Sequence, residues 1–128
     1  MEYFVDFAAQ SGFPYMLVDG GGSEPDDITK MNGRVDVPAV VQYAASKGVK
    51  SGFGHTIPGR ASNGQRFSLL RKMGVAGVKI DFIQRADQTG VQFYYRDARV
   101  AAEQYLMLDF HGTTTPWGMS RSYPNVLG

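Results

Sequence analysis

Short apolar runs ending in an ionisable residue recur along this chain, each after a stretch with the period of an amphipathic helix. Leu17-Val18-Asp19, Lys79-Ile80-Asp81 and Met107-Leu108-Asp109 end in carboxylates, and the run that begins at Val49 ends at His55. Strands separated by whole helices pair in parallel, because a parallel return needs a crossover whereas an antiparallel one needs only a turn. The chain is therefore expected to be α/β, with about four parallel strands alternating with helices, and a β-sandwich is excluded. The clearest helix runs from Asp36 to Lys47. Val37, Val40, Val41, Ala44 and Ala45 share one face, Asp36 caps the first turn, Pro38 falls where no donor is needed, and Gly48 suits the left-handed position at the end. A second helix is expected from about Ser62 to Met73 with Phe67, Leu70 and Met73 inward. A third, from about Asp87 to Gln104, presents Val91, Tyr94, Tyr95, Ala98, Ala101 and Ala102. A shorter stripe of Phe4, Phe7 and Ala8 precedes the first strand, Tyr15 to Val18.

With 128 residues the chain has the length of one domain. Thirteen basic against twelve acidic side chains leave a net charge of +1, which provides no field for nucleic acid or an anionic membrane surface. The absence of cysteine excludes disulfides, thiolate metal sites and a cysteine nucleophile. No apolar run reaches the ~20 residues of a membrane span. Met1 to Asp6 carries two acids and no Lys or Arg, so it does not read as a signal peptide, and the expectation is a soluble domain of open compartment. Residues 1–112 read as the α/β unit. Residues 113–128, rich in turn formers and without period, read as a loop or tail of the same domain.

Parallel α/β sheets place their chemistry at the C-terminal edge of the strands, and Asp19, His55, Asp81 and Asp109 are all expected there. Each has a plain structural alternative, since an Asp after a strand often caps the next helix. Paired carboxylates at such an edge suit glycoside hydrolysis or a hard divalent cation. Glu24, Asp26 and Asp27 lack the spacing of a calcium-binding loop and read as a solvated acidic turn, so no metal ligand is assigned. Gly20-Gly21-Gly22 fits neither a dinucleotide nor a P-loop fingerprint, and no GxSxG occurs. Trp117, on a Pro-Gly-flanked loop, offers a face for stacking on a sugar ring and equally suits a core or interface. The residues alone do not choose between Asp81 and Asp109 as a nucleophile.

Gly77-Val78-Lys79-Ile80-Asp81-Phe82, Leu108-Asp109-Phe110-His111-Gly112 and Arg121-Ser122-Tyr123-Pro124-Asn125-Val126 resemble glycoside hydrolase family 97. Asp6-Phe7-Ala8-Ala9, Leu17-Val18-Asp19, Asp27-Ile28-Thr29-Lys30, Asp36-Val37-Pro38 and Lys72-Met73-Gly74-Val75 follow that family's order as well, so the resemblance covers nearly the whole chain. It implies retaining α-galactosidases or inverting α-glucosidases, usually calcium-dependent, on a (β/α)₈ barrel flanked by two β domains. On that pattern the chain is a partial (half) TIM-type (β/α) barrel. Asp81 matches the nucleophile of the retaining α-galactosidase branch, with Asp109 as a candidate second carboxylate. Asp19, His55, Lys79, His111 and Trp117 are candidate substrate-contacting or site-shaping groups. The chain departs from the family at Gly20-Gly21-Gly22, where an aromatic residue is usual. The family's glutamates that serve as general acid and calcium ligands follow the Tyr-Pro-Asn-Val segment, so calcium is an open question for this chain. The expected partners are a small carbohydrate substrate and, because a half-barrel leaves sheet edges open, further copies of the chain in a homo-oligomer. The alternatives are an impaired fragment that binds sugar or self-associates, and a promiscuous hydrolase of activated esters.

Overall fold

The computed structural model describes the backbone of residues 1–20, 23–24, 27–31, 35–56, 63–83, 85–114 and 118–127, and the side chains of these except at 23–24, 27–31 and 55–56. Helices and strands alternate in the order α1 (Glu2–Gln10), β1 (Tyr15–Val18), β2 (Ser23–Glu24), β3 (Asp27–Met31), α2 (Val37–Ser46), β4 (Lys50–Thr56), α3 (Gly64–Lys72), β5 (Gly77–Asp81), α4 (Gln88–Glu103), β6 (Met107–Phe110), α5 (Met119–Ser122) and β7 (Val126–Leu127). Local chemistry starts the two best-formed helices. Asp36 accepts from the Ala39 N–H at 3.0 Å ahead of α2, and Asp87 accepts from the Gly90 N–H at 3.0 Å ahead of α4. β2 and β3 form a separate antiparallel pair where the sequence reads as an acidic turn.

The main sheet has five strands in the order β1-β4-β5-β6-β7, and every pair in it is parallel. It is a partial barrel sheet with one strand more than the four expected. The fifth comes from the segment read as a tail, because two residues are too few to show a period. Asn125 holds that segment in place. Its side-chain amide donates to the carbonyls of Ala98 and Leu106, and its own carbonyl accepts from the Leu108 N–H at 2.8 Å.

Register divides the sheet's residues between two faces. Val18, Phe53, Val78, Leu108 and Val126 stand side by side in one row, all buried. Together with Ile80 and Phe110 they pack on Val37, Val40 and Val41 of α2, Phe67 and Leu70 of α3, Tyr94, Ala98 and Ala101 of α4, and Met119. A smaller cluster of Val5, Ala8, Ala44 and Val49 fixes α1. The buried face of α1 is thus Val5 and Ala8, while Phe4 and Phe7, expected inward, are exposed. The buried stripe of α4 is likewise rotated from the expected one. Gly90, Tyr94, Asp97, Ala98 and Ala101 are buried while Val91 and Tyr95 are exposed. The buried stripe runs through Asp97, a charged residue that a count of apolar positions passes over. In the fold Arg96 donates to Oδ1 of the Asp97 carboxylate and Asn63, ahead of α3, to Oδ2, and together these make burial of the acid tolerable.

The opposite face of the sheet is built differently. Its rows are Leu17, Gly52, Gly77 and Met107, and then Asp19, Gly54, Lys79, Asp109 and Leu127. Three glycines in the two central strands remove side chains from this face. A cavity of about 390 Å³ lies over Gly52 and Gly77, lined by Leu17, Met107 and Leu127 and edged by Lys79 and Asp109.

Candidate active site

β5 delivers the centre of the site. Lys79 points to the open face at the level of Gly54, and Asp81 follows two residues later at the strand's last position. Lys79 reaches across the neighbouring strand to Asp19, with 2.7 Å between Nζ and Oδ2, because Gly54 between them has no side chain. A Cβ at Gly54 would collide with the Asp19 carboxylate and lie 3.1 Å from the Asp19 Cα. The Lys79 ammonium also lies 3.6 Å from the Asp81 carboxylate. The hydrogen bond to Asp19 raises Lys79 above its ordinary pKa against the opposing effect of burial, and the charges of Asp19, Asp81 and Asp109 add to the rise. Lys79 is therefore a permanent cation inside a group of carboxylates.

Asp81 is held at both oxygens. Oδ1 accepts from the Phe82 N–H at 2.7 Å, and Oδ2 lies 2.7 Å from Nδ1 of His111. Burial alone would raise its pKa. The Phe82 N–H, His111 and Lys79 together outweigh that effect and hold Asp81 below the ordinary carboxylate value. The backbone is strained at this point, since Phe82 has φ +61°. Gly112 (φ +61°) closes against the same carboxylate, and a Cβ there would stand 2.6 Å from Oδ1. His111 is carried beside Asp81 by the sheet itself, as its N–H continues the β5–β6 ladder by donating to the Ile80 carbonyl at 2.8 Å.

The structure brings four of the sequence candidates into one chain of contacts: Asp19, Lys79, Asp81 and His111. Asp109 is inside β6 rather than at its end, at the register of Lys79, because Phe110 extends the strand past it. It is therefore one row below Asp81. His55 pairs with Ile80 in register, but its side chain is outside the described residues, as is all of Trp117. Glu24, Asp26 and Asp27 likewise carry no described side chain. Phe82, Gly54 and Gly112 were missed in the sequence. The glycines flanking His55 and His111 were the available signal, whereas nothing in the letter Phe announces a positive φ.

Calcium does not fit the described side chains. Among them no group of three or more His, Asp or Glu is arranged to hold a metal, and the position between Asp19 and Asp81 is taken by the Lys79 ammonium.

The chain matches the family model for Glycoside hydrolase 97 over residues 1–128. It belongs to glycoside hydrolase family 97. The match agrees with two curated relatives. A protein from Bacteroides thetaiotaomicron named retaining alpha-galactosidase is 38% identical over 97% of this chain and 19% of its own length. One from Streptomyces bingchenggensis named probable retaining alpha-galactosidase is 34% identical over 97% and 21%. The chain thus spans about a fifth of the length of the curated relatives it matches. Among solved structures, a beta-arabinopyranosidase superposes with a TM-score of 0.82 at 26% identity, covering 98% of this chain and 22% of the other. A glycoside hydrolase family 97 enzyme variant from Pseudoalteromonas superposes with a TM-score of 0.75 at 27% identity, covering 97% and 24%. In this family 97 chain, then, the described sheet is the partial barrel, and its open face carries the Asp19–Lys79–Asp81–His111 cluster.

Proposed function

We propose that this chain supplies the nucleophile side of a retaining glycoside hydrolase site acting on α-galactosides, with Asp81 as the attacking group. The observation that carries the reading is the state of Asp81: ionised, fixed at both oxygens, and at the C-terminal end of a central strand. In a retaining mechanism a carboxylate lone pair attacks the anomeric carbon as the bond to the aglycone oxygen breaks. The departing oxygen takes a proton from a second carboxyl group. Water then cleaves the glycosyl ester, giving its proton back to that second group. Asp81 is suited to the attack because Phe82, His111 and Lys79 keep it unprotonated at neutral pH. Asp109 is less suited to the second role, since it is level with Lys79 rather than with Asp81. The family resemblance assigns that role to a glutamate beyond Tyr123–Val126.

The substrate class is supported by the relatives' names. In the L series a β-arabinopyranoside is an α-galactoside ring without its hydroxymethyl group, so the named activities share one arrangement of ring hydroxyls. An activated 2-deoxy-2-fluoro-α-galactoside needs no proton at its leaving group, so it tests the nucleophile alone. Mass spectrometry is expected to find a glycosyl ester on Asp81 and none on the Asp81→Asn variant. A folded wild-type chain that takes no label refutes the reading.

A second reading concerns what covers the open face. Tyr15, Leu17 and Leu127 are exposed there at 43%, 43% and 48%, and β1 and β7 are the outer strands of the sheet. These features support association with further copies of the chain. Sedimentation at micromolar concentration is expected to give a multiple of 14.0 kDa, and a single-chain mass refutes it.

A further inference from the structure

His111 has so far been a candidate sugar ligand, yet its ring is committed elsewhere. Nδ1 lies 2.7 Å from Asp81 Oδ2, and with Asp81 ionised this nitrogen is the donor. The backbone brings the ring within reach, because the His111 N–H is bonded to the Ile80 carbonyl and places the residue directly beside Asp81. On the other oxygen, Phe82 N–H occupies one acceptor direction of Oδ1. Gly112 faces that same oxygen without a side chain. The carboxylate is thus held at both oxygens, by Phe82 N–H at Oδ1 and by His111 at Oδ2.

We propose that His111 is a positioning residue for the Asp81 nucleophile. Its Nδ1–H anchors Oδ2, and with Phe82 N–H on Oδ1 it fixes the rotation of the carboxylate that attacks the anomeric carbon. The inference rests on the reading of Asp81 as nucleophile and adds to it what orients the carboxylate. Among the described residues the other charged group facing Asp81 is Lys79 at 3.6 Å on the same strand, while Asp19, after β1, and Asp109, on β6, act on Lys79. The lysine does not take the place of the imidazole, because its ammonium lies 3.6 Å from Oδ2, beyond hydrogen-bond distance, while it bonds Asp19 at 2.7 Å.

The test is the titration of the Asp81 side-chain carboxyl carbon by NMR in the full chain, for wild type, His111→Ala and His111→Asn. His111 is 61% exposed and its backbone bond is unaffected by truncation, so both variants are expected to fold. In His111→Ala the Asp81 titration moves upward, having lost the hydrogen bond and charge that now lower it. In His111→Asn the amide N–H takes the place of Nδ1–H but brings no charge, so the titration lies between those of wild type and His111→Ala. An Asp81 titration unchanged by His111→Ala overturns the proposal, and so does an upward move that Asn does not reduce. The fluoroglycoside label separates the two levels. A His111-dependent titration without labelling of Asp81 overturns the nucleophile reading, whereas labelling with a His111-independent titration overturns only the positioning role.

Discussion

The two faces of the five-stranded sheet are made from alternate residues of the same strands, yet they are built for opposite ends. On the helix side, Val18, Phe53, Val78, Leu108 and Val126 form a continuous buried row. On the open side the adjacent row reads Asp19, Gly54, Lys79, Asp109 and Leu127. The first row excludes water and supplies the apolar burial that drives folding. The second forgoes that burial, keeps charges close to one another and leaves room above them. Because successive strand residues point to opposite faces, a single strand such as β5 serves both: Val78 and Ile80 pack while Lys79 and Asp81 make up the site.

The largest expected effect comes from breaking the helix side. Phe53→Ala should cost about 3–5 kcal/mol, read as a lower urea midpoint, because a fully buried ring is lost from a packed row. Met107→Ala, on the open face, should cost less than about 1 kcal/mol. Equal losses would mean that the open face is as tightly packed as the other. Within the open face two glycines sharpen the point. A Cβ at Gly52 would meet Leu17 Cδ1 at 3.4 Å, an ordinary contact, so Gly52→Ala should stay within about 0.5 kcal/mol of wild type. Gly54→Ala meets the Asp19 carboxylate and backbone and should cost about 1–3 kcal/mol. It should also lower the Lys79 titration, since the Asp19 hydrogen bond is the largest cause of its rise.

These contrasts mark what was legible in the sequence. Helix α2 was, because Asp36, Pro38, the valine stripe and Gly48 all state the same answer. The alternation of elements and the strand ends at Asp19 and Asp81 were legible for the same reason, since period and spacing agree. The exposure of Phe4 and Phe7 was not, because α1 buries only Val5 and Ala8 and the bulkier residues beside them dominate any hydrophobic count. Strand β7 was not, since its pairing is fixed by Asn125 reaching residues 27 and 19 positions away. In the site, the sequence could collect Asp19, Lys79, Asp81 and His111 but not their order of contact. That order depends on Gly54 and Gly112, where the informative feature is a missing side chain.

Two aspartates extend the comparison to pH. Asp97 on the helix side has its pKa raised by burial, against the lowering effects of Arg96 and Asn63. Protonation therefore favours the folded state: the contribution is full below the ordinary aspartate value and is lost as pH rises through the raised one. Asp81 on the open side is lowered, so its contribution is present above the ordinary value of 3.8 and is lost as pH falls through its own. Asp97→Asn should flatten the decline in stability on the alkaline side of pH 4, and Asp81→Asn should flatten the decline on the acid side. Urea midpoints measured from pH 3 to pH 7 read both, and the same slope in both variants would contradict the assignment.

A small effect of the opposite sign lies at the junction of the two faces. Phe82 follows the last residue of β5, is 62% exposed, and has φ +61°, a conformation that costs an L-residue about 1–2 kcal/mol. Replacing it with glycine removes that strain but enlarges the freedom of the unfolded chain by about 0.5–1 kcal/mol. The net expectation is a gain of up to about 1.5 kcal/mol in stability, in contrast to the loss that glycine brings at an ordinary strand position. The N–H of residue 82 remains available to Asp81 Oδ1 in the variant, so the low Asp81 titration should persist. A variant that is less stable than wild type would mean the exposed ring contributes packing that outweighs the strain. A variant that is more stable but in which the Asp81 titration has risen would mean the strained turn is what aims the N–H at the carboxylate, so that a rigid residue at 82 is needed to keep Asp81 ionised.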